Sequence, residues 1–236
     1  MNTEHRRAEL AANLGKVRAR IAAACEQVGR NPRDTTLVAV TKTFPASDVI
    51  ALTAIGVRDV GENRDQEAAP KAVAVAEAGV EVTWHFVGRL QRNKARSVVR
   101  YADLVHSVDR PSIVDALARA AEAHRGTPLD VLVQVSLDED PARGGVPAKE
   151  LSSLAARVAE SSWLRLRGLM AVAPLEADPE PAYRRLAALA AELRTAYPEA
   201  TVLSAGMSGD LEAAVRHGAT HLRVGSALLG QRPPLG

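Results

Sequence analysis

Apolar residues recur along this chain with two different spacings, and the spacing changes from one segment to the next. Residues 4–29 carry apolar residues near helical spacing and end at Gly29, which predicts one long helix. The run TTLVAVTK at 35–42 is β-branched and apolar on both faces, as is typical of a strand buried in a parallel sheet. From there, short strand-like runs alternate with longer helix-like runs.

This alternation predicts a barrel. The predicted strands are at 35–42, 57–62, 83–88, 104–109, 130–137, 166–173, 201–206 and 221–225. The predicted helices between them are at 47–55, 63–78, 91–101, 111–124, 147–161, 180–196 and 210–217. Eight βα units in about 200 residues favour a closed barrel over an open doubly wound sheet. We therefore predict an α/β fold, a single (β/α)8 TIM barrel over residues 1–236, with an extra N-terminal helix within residues 1–30 packed on the barrel.

Composition narrows the class of protein without naming a function. Apolar residues make up 47% of the chain, enough for a sizeable core, and the formal net charge is only +2. The arginines are scattered, so neither nucleic acid nor a membrane is predicted as a partner. There is no signal-peptide core and no apolar run near the roughly 18 residues of a membrane span, so we expect a cytoplasmic protein. The single cysteine, Cys25, excludes an internal disulfide, and no metal site is predicted.

Lys42 is the strongest candidate for chemistry because the first strand ends there. In such barrels the working groups lie at the carboxyl ends of the strands. Side chains alternate along a strand, so Lys42 shares a face with Val38 and Val40 and faces the barrel mouth if the valines face inward. A partly desolvated amine there is a better nucleophile toward an aldehyde; a lysine that merely emerges into solvent is the alternative. The other lysines, predicted on solvated helices, are Lys16, Lys71, Lys94 and Lys149.

The last two strands lead into segments that favour an anion. Ser208, in SAGMSGD at 204–210, stands just before a helical segment, where a hydroxyl caps free N–H groups. Gly225 and Ser226, in RVGSALLG at 223–230, open a short helical turn. Two helix ends with free amides side by side form an anion site, the usual place for a phosphate in a barrel. Ordinary capping and tight packing are the alternative.

Other polar residues are predicted to face the barrel interior. Arg223 points inward if its neighbours Leu222 and Val224 point to the helices, and a buried arginine needs a partner or a ligand atom. Glu62 is a candidate to pair with Arg223 or Arg89. His85 is expected to be a core histidine, with a place in the pocket lining as the alternative, and His106 and His221 are expected to be structural. Two further polar residues, expected either to touch a partner or to cover a solvated helix, are Asn93 and Lys94.

Five segments carry a family resemblance. They are VAVTKTFP around Lys42, GENRDQE at 61–67, WHFVGRLQRNK at 84–94, RGLMAVAP at 167–174 and SAGMSGDLEAAVRHGATHLRVGSALLG at 204–230. In this order they resemble the YggS/PROSC family, the pyridoxal phosphate homeostasis proteins, over nearly the whole chain. GEN, HFVGxLQxNK and MSxD are highly specific together, although any one of them alone would be weak.

The resemblance implies the barrel of the alanine racemase N-terminal domain, which is fold type III among proteins that bind pyridoxal 5′-phosphate (PLP). It implies PLP as the cofactor and Lys42 as the lysine that forms the Schiff base. It implies a role in keeping vitamin B6 pools in balance, without catalytic turnover, so no residue is assigned as catalytic. The remaining implied ligands are Ser208, Gly225 and Ser226 for the phosphate, Arg223 near the pyridine nitrogen and Asn63 near the ring.

Two positions depart from the pattern of many relatives. Ser226 stands where they have threonine, which keeps the hydroxyl. Arg143 stands where they have lysine, in the loop DEDPARGGV. An arginine does not form an imine, so any role of that lysine in accepting or releasing the cofactor would be lost.

The predicted ring partner favours a binding protein over an enzyme. An arginine keeps its proton, so it leaves the pyridine nitrogen unprotonated and the ring a weak electron sink. Racemisation is the PLP chemistry that remains, and it needs a second acid/base group, whereas Tyr101, Tyr183 and Tyr197 are predicted on outer helices. The open alternatives are a PLP-dependent amino-acid racemase, a Schiff-base aldolase or phosphate-binding barrel, and a scaffold for a protein partner. Expected partners are PLP and the apo-enzymes that receive it, and the expected state is a monomer.

Overall fold

A computed structural model describes residues 3–138, 144–174 and 177–231. Eight parallel strands form a closed barrel in chain order, and the last strand pairs with the first. The strands are β1 (Thr36–Val40), β2 (Asp59–Glu62), β3 (Thr83–Phe86), β4 (Leu104–Val108), β5 (Leu129–Gln134), β6 (Leu164–Met170), β7 (Val202–Ser204) and β8 (His221–Val224). The predicted TIM barrel is confirmed, and each strand lies within three residues of its predicted bounds at either end.

The helices alternate with the strands. They are α1 (Thr3–Gln27), α2 (Ala46–Ala54), α3 (Asp65–Glu77), α4 (Ala95–Val98), α5 (Pro111–His124), α6 (Leu151–Ala159), α7 (Pro179–Ala196), α8 (Leu211–Arg216) and α9 (Ser226–Leu229). The prediction of one helix over 91–101 is wrong. A 3₁₀ turn and the short α4 stand there, and the chain turns at Tyr101, whose ring packs edge-on against Trp84 with centroids 6.3 Å apart. In the described part of the chain, none of the helices has both the length and the apolar character needed to cross a membrane.

The N-terminal helix α1 packs on the outside of the barrel. Its buried face carries Leu10, Leu14, Val17 and Ile21, which recur at helical spacing. This face contacts α2, α8 and α9. Each such side chain contributes about 1.5–3 kcal/mol when it is fully buried, so apolar packing holds α1 in place. The first helix therefore supports the loops that follow the last two strands.

The barrel interior is divided into an apolar half and a polar half. Leu104, Leu132 and Met170, from β4, β5 and β6, form a buried cluster to which no helix contributes. The polar half lies on the strands near β1 and consists of Asp59, His85, His106, Ser204, His221 and Arg223. Buried polar groups need hydrogen-bond partners, so this half is an ordered network.

Candidate functional site

The segment after β1 brings Lys42 to the carboxyl end of the barrel. β1 ends at Val40, and the Lys42 side chain is half-buried. Val38 lies level with Asp59 of β2 and Arg223 of β8 in the parallel register, and both of those side chains lie inside the barrel. Since side chains alternate along a strand, Val40 shares that face, and Lys42 is the next residue of the same parity at the rim.

The turn after Lys42 has an unusual backbone. Thr43 has a φ of 69°, the only positive φ at a non-glycine position in the described ranges. For a β-branched residue this conformation costs on the order of 1–3 kcal/mol. The Thr43 N–H donates to Glu67 Oε2 at 3.1 Å, which ties the turn to the first turn of α3. The strained turn therefore fixes the peptide that follows Lys42.

A buried ion pair supports the same turn from below. Lys71 Nζ donates to Glu62 Oε1 at 2.5 Å and to the Thr41 carbonyl oxygen at 2.8 Å. Thr41 Oγ1 donates to the same carboxylate oxygen at 2.6 Å. The side chains of Lys71 and Glu62 are 6% and 0% exposed. Burial raises the pKa of the Glu62 carboxyl, and the charge of Lys71 opposes that rise.

Two sequence predictions fail at this ion pair. Glu62 pairs with Lys71 and not with Arg223 or Arg89. Lys71 is not on a solvated helix face, because it lies on the buried face of α3. That face has the spacing 68, 71, 72 and 75, so a lysine inside an apolar stripe was the available signal. Lys71 is therefore already engaged beneath the rim.

One hydrogen bond joins the loops after β7 and β8. Ser208 Oγ accepts from the backbone N–H of Ala227, in the first turn of α9, at 3.3 Å. The Ser208 carbonyl oxygen accepts from the Arg20 guanidinium of α1 at 3.0 Å. The predicted capping of the following helix is wrong, because α8 begins at Leu211 with Asp210 as its N-cap residue. The Ser208 hydroxyl instead accepts a hydrogen bond from the loop after β8 and so links the two loops.

Gly225 and Ser226 lie beside the end of β1. α9 begins at Ser226, with Gly225 as its N-cap residue. A Cβ atom on Gly225 would lie 3.4 Å from the Val40 carbonyl oxygen and 3.6 Å from Val40 Cβ. The start of α9 and the segment that leads to Lys42 therefore share one sector of the rim.

Arg223 lies in the barrel interior below this sector. The guanidinium donates to Ser204 Oγ at 2.7 Å and to the Ala171 carbonyl oxygen at 2.8 Å, and the residue is 5% exposed. Both acceptors are neutral, and burial lowers the pKa of Arg223. Leu222 and Val224 pack in the outer core, as the alternation predicts. An arginine has more donors than these two bonds use, so it suits a neutral acceptor such as a ring nitrogen.

The tyrosines are less peripheral than predicted. Tyr183 is on α7, yet it is 1% exposed, and its hydroxyl donates to Asp210 Oδ2 at 2.6 Å. Burial, followed by the hydrogen bond to Asp210, raises the pKa of this hydroxyl, while the charge of Arg223 acts in the opposite direction. Tyr101 lies in the turn before β4 and not on a helix. Burial also raises the pKa of the Tyr101 hydroxyl.

The interior histidines form a cluster. The ring centroids of His85, His106 and His221 lie 5.1, 6.0 and 6.4 Å apart. Burial lowers the pKa of His106 well below its ordinary value and that of His221 to about 4. Among residues 3–138, 144–174 and 177–231, no group of three or more His, Cys, Asp or Glu side chains could hold a metal ion.

Asn63 lies next along the rim, after β2. It is half-buried and lines a cavity of about 230 Å³ together with Phe86, Arg89 and Lys94. Gly88, from the loop after β3, packs directly on it: a Cβ atom there would lie 2.0 Å from the Asn63 carbonyl oxygen. Only glycine fits at such an approach. Arg143, the other loop residue singled out from the sequence, lies outside the described residues.

Comparisons with known proteins identify the family of this chain. The family described as alanine racemase, N-terminal domain, matches residues 12–233. A pyridoxal phosphate homeostasis protein of Mycobacterium bovis is 48% identical over 243 residues, which cover 96% of this chain and 94% of the relative. The structure of PipY from Synechococcus elongatus with PLP bound has a TM-score of 0.82 and 34% identity, and the match covers 94% of this chain and 100% of PipY.

A more distant likeness concerns the fold alone. Alanine racemase from Corynebacterium glutamicum has a TM-score of 0.67 at 17% identity, and the match covers 98% of this chain and 63% of that enzyme. The predicted resemblance to the fold of the alanine racemase N-terminal domain is thus confirmed.

Proposed function

The chain belongs to the alanine racemase N-terminal domain family and, within it, to the pyridoxal phosphate homeostasis proteins, and from that premise we propose that it binds PLP. Lys42 holds the cofactor as a Schiff base, and the protein helps to keep the supply of vitamin B6 in balance. The observation that carries this proposal is the shared rim sector. Lys42 follows β1 there, beside the start of α9 and Ser208, and Arg223 lies below.

The donor set of the rim suits the three polar parts of PLP. When bound, PLP supplies an aldehyde that condenses with a lysine amine, with loss of the aldehyde oxygen as water. Lys42 at the rim provides that amine. Lys71, beneath the rim, donates to Glu62 and to the Thr41 carbonyl oxygen. The strained Thr43 turn fixes the backbone next to the amine.

Ser208, Gly225 and Ser226 hold the phosphate. The hydrogen bond from Ala227 to Ser208 orients the hydroxyl toward the first turn of α9, where the N–H groups of Ser226 and Ala227 have no acceptor within the helix. Arg20 fixes the Ser208 carbonyl oxygen from α1, so the loop is braced before a phosphate arrives. Such preorganisation favours binding because less ordering is required.

Arg223 and Asn63 set the environment of the ring. Arg223 donates to the pyridine nitrogen and keeps its own proton, so the nitrogen stays unprotonated and the ring withdraws electrons weakly. Asn63 lies against the ring from the neighbouring sector of the rim. This pairing supports a protein that stores and delivers the cofactor without catalytic turnover.

An amino-acid racemase is the alternative. Two-base racemisation needs a second acid/base group, and the Tyr183 hydroxyl near Arg223 is engaged by Asp210, with its pKa raised mainly by burial. The test is incubation of the PLP-loaded protein with L-alanine or L-serine in deuterated water. We expect no turnover-dependent exchange at Cα, and fast exchange would favour the racemase.

The lysine assignment has a direct test. We expect purified protein incubated with PLP to show an absorbance band near the visible edge and borohydride to fix the cofactor on the peptide that contains Lys42. Lys42→Ala should abolish both signals, whereas Lys149→Ala, an exposed lysine on the turn before α6, should retain them. A band that survives in Lys42→Ala would refute the assignment.

The cellular role is also a proposal. We propose that the chain forms one cofactor-binding domain, acts as a cytoplasmic monomer and delivers PLP to apo-enzymes. Light scattering at micromolar concentration tests the monomer. Reactivation of a PLP-dependent apo-enzyme by loaded protein, faster than by free PLP at equal concentration, tests the delivery. Equal rates would contradict delivery.

A further inference from the structure

A single chain of hydrogen bonds crosses the barrel interior below the rim. Arg223 donates to Ser204 Oγ at 2.7 Å, and Ser204 Oγ lies 2.8 Å from His106 Nδ1. His106 Nε2 lies 2.9 Å from His85 Nδ1. His85 Nε2 lies 3.0 Å from Asp59 Oδ1 at the start of β2. The hydrogen-bond chain thus connects Arg223 of β8 with Asp59, the first residue of β2, across the barrel interior.

The chemistry of the two ends fixes the direction of every bond. A guanidinium only donates and a carboxylate only accepts. Asp59 therefore requires a proton on His85 Nε2, which leaves His85 Nδ1 as an acceptor when the ring is neutral. His106 must then carry its proton on Nε2 and accept from the Ser204 hydroxyl at Nδ1. Both histidines are thereby assigned the Nε2–H tautomer.

The surroundings of this hydrogen-bond chain favour a neutral His106. Burial lowers the pKa of His106 well below its ordinary value, and the positive charge of Arg223 acts in the same direction. Other charged or titratable groups lie near the two ends of this hydrogen-bond chain. Tyr183 and Asp210 lie beside Arg223. The outer cavity that Asp59 lines is also lined by Arg18, Arg33 and Arg58. When both histidine rings are neutral, every hydrogen bond is donated in the direction from Arg223 to Asp59, so the members support each other.

We propose that Asp59, His85 and His106 are positioning residues that act through Ser204 on Arg223, and that they hold the guanidinium in the orientation that receives the cofactor ring. This inference rests on the proposed function. Ser204 Oγ accepts from Arg223, and the direction of its own proton toward His106 fixes how its lone pairs face the guanidinium. Through these hydrogen bonds the Asp59 carboxylate influences how Arg223 presents its donors to the PLP site.

The tautomers can be measured on the ligand-free protein, without any variant. Long-range ¹H–¹⁵N correlation spectra should show His85 and His106 as neutral Nε2–H tautomers at pH 7. An Nδ1–H tautomer at His106 in the wild-type protein would overturn the inference, because the chain would then run in the opposite direction.

Variants of Asp59 test whether this carboxylate controls the tautomer of His106. Asp59→Asn keeps an acceptor oxygen and should leave His106 as the Nε2–H tautomer. Asp59→Ala removes the acceptor and should populate the Nδ1–H tautomer at His106, which Asp59 does not touch. The matched control is Asp130→Ala, a carboxylate near the start of β5 that pairs with Arg165 and Arg167 and should change neither histidine. An unchanged His106 in a folded Asp59→Ala protein would also overturn the inference.

PLP binding supplies the second measurement. His106→Leu and Asp59→Ala should raise the Kd for PLP about tenfold and move the absorbance maximum of the bound cofactor, while Asp130→Ala should do neither. Unchanged affinity and an unchanged spectrum in both variants would refute the positioning role and leave PLP binding standing. Failure of the wild-type protein to bind PLP would refute the proposed function. The tautomers of His85 and His106 would still show the direction of the hydrogen bonds between Arg223 and Asp59.

Discussion

Replacement of Lys71 by methionine should cost more stability than its place on a helix suggests. Lys71→Met removes the cation that contacts Glu62 Oε1, while the other carboxylate oxygen of Glu62 already has no hydrogen-bond partner in the described residues. Breaking a buried ion pair by removing one partner costs about 3–5 kcal/mol, because the remaining charge is left in a medium of low polarity. That is a large share of the roughly 5–15 kcal/mol that holds a typical domain folded.

Urea unfolding of matched variants measures this cost. The control is Lys94→Met, because Lys94 also follows a strand and pairs with a carboxylate, but at 3.9 Å and with its side chain 31% exposed. Such a pair is worth about 0–1 kcal/mol. The double variant Glu62→Gln/Lys71→Met removes both charges and should be more stable than Lys71→Met alone, with a coupling of at least about 2 kcal/mol between the two sites.

The stability lost in Lys71→Met should also depend on pH. Burial raises the pKa of Glu62 above its ordinary value of 4.5, and the loss of Lys71 raises it further. A carboxyl whose folded-state pKa is raised stabilises the fold at low pH and loses that contribution as the pH rises. The gap between Lys71→Met and the wild type should therefore close as the pH falls toward 4.5. Equal costs for Lys71→Met and Lys94→Met at pH 7 would refute the reasoning.

Three further predictions concern the turn, acid stability and the rim. Thr43→Gly should raise the free energy of unfolding by about 1 kcal/mol in urea, because glycine tolerates the φ of 69°; a loss would show that the turn is not strained. The lowered pKa values of His106 and His221 mean that unfolding takes up protons, so stability should fall as the pH drops from 6.5 toward 4, with about 3 kcal/mol from His221. In His221→Gln, the free energy of unfolding measured by chemical denaturation should change less with pH over this range. An unchanged pH dependence would contradict the lowered pKa of His221. Ser208→Ala should raise the Kd for PLP about five- to tenfold in an absorbance titration, and an unchanged Kd would remove the hydroxyl from the phosphate site.

The barrel and the inward direction of Arg223 could be predicted because both depend on local periodicity. Strand alternation assigns each residue to a face, and the alternation of strands with helices identifies parallel βα units. The environment of Lys71 could not be obtained in the same way, because its charge suggested solvent whereas its position in the apolar stripe of α3 indicated burial. Lys71 is buried, as its position in the apolar stripe indicated, because Glu62 on β2 provides the partner charge.

Contacts between loops could not be predicted from the sequence pattern. Ser208 and Ala227 are 19 residues apart and meet only because β7 and β8 are neighbours in the closed barrel. The positive φ of Thr43 has no signal in its residue type, since threonine is seldom found there. The histidine chain likewise joins β2, β3, β4 and β7, and its partners emerge only once the barrel is closed.

The contact between Gly88 and Asn63 limits how this rim can be altered. No side chain fits at position 88, because the loops after β2 and β3 are in direct contact there. An insertion or a larger side chain in one of these loops would therefore displace the other. A redesign of this part of the rim would therefore have to exchange both loops together, or keep both and change the opposite side of the rim.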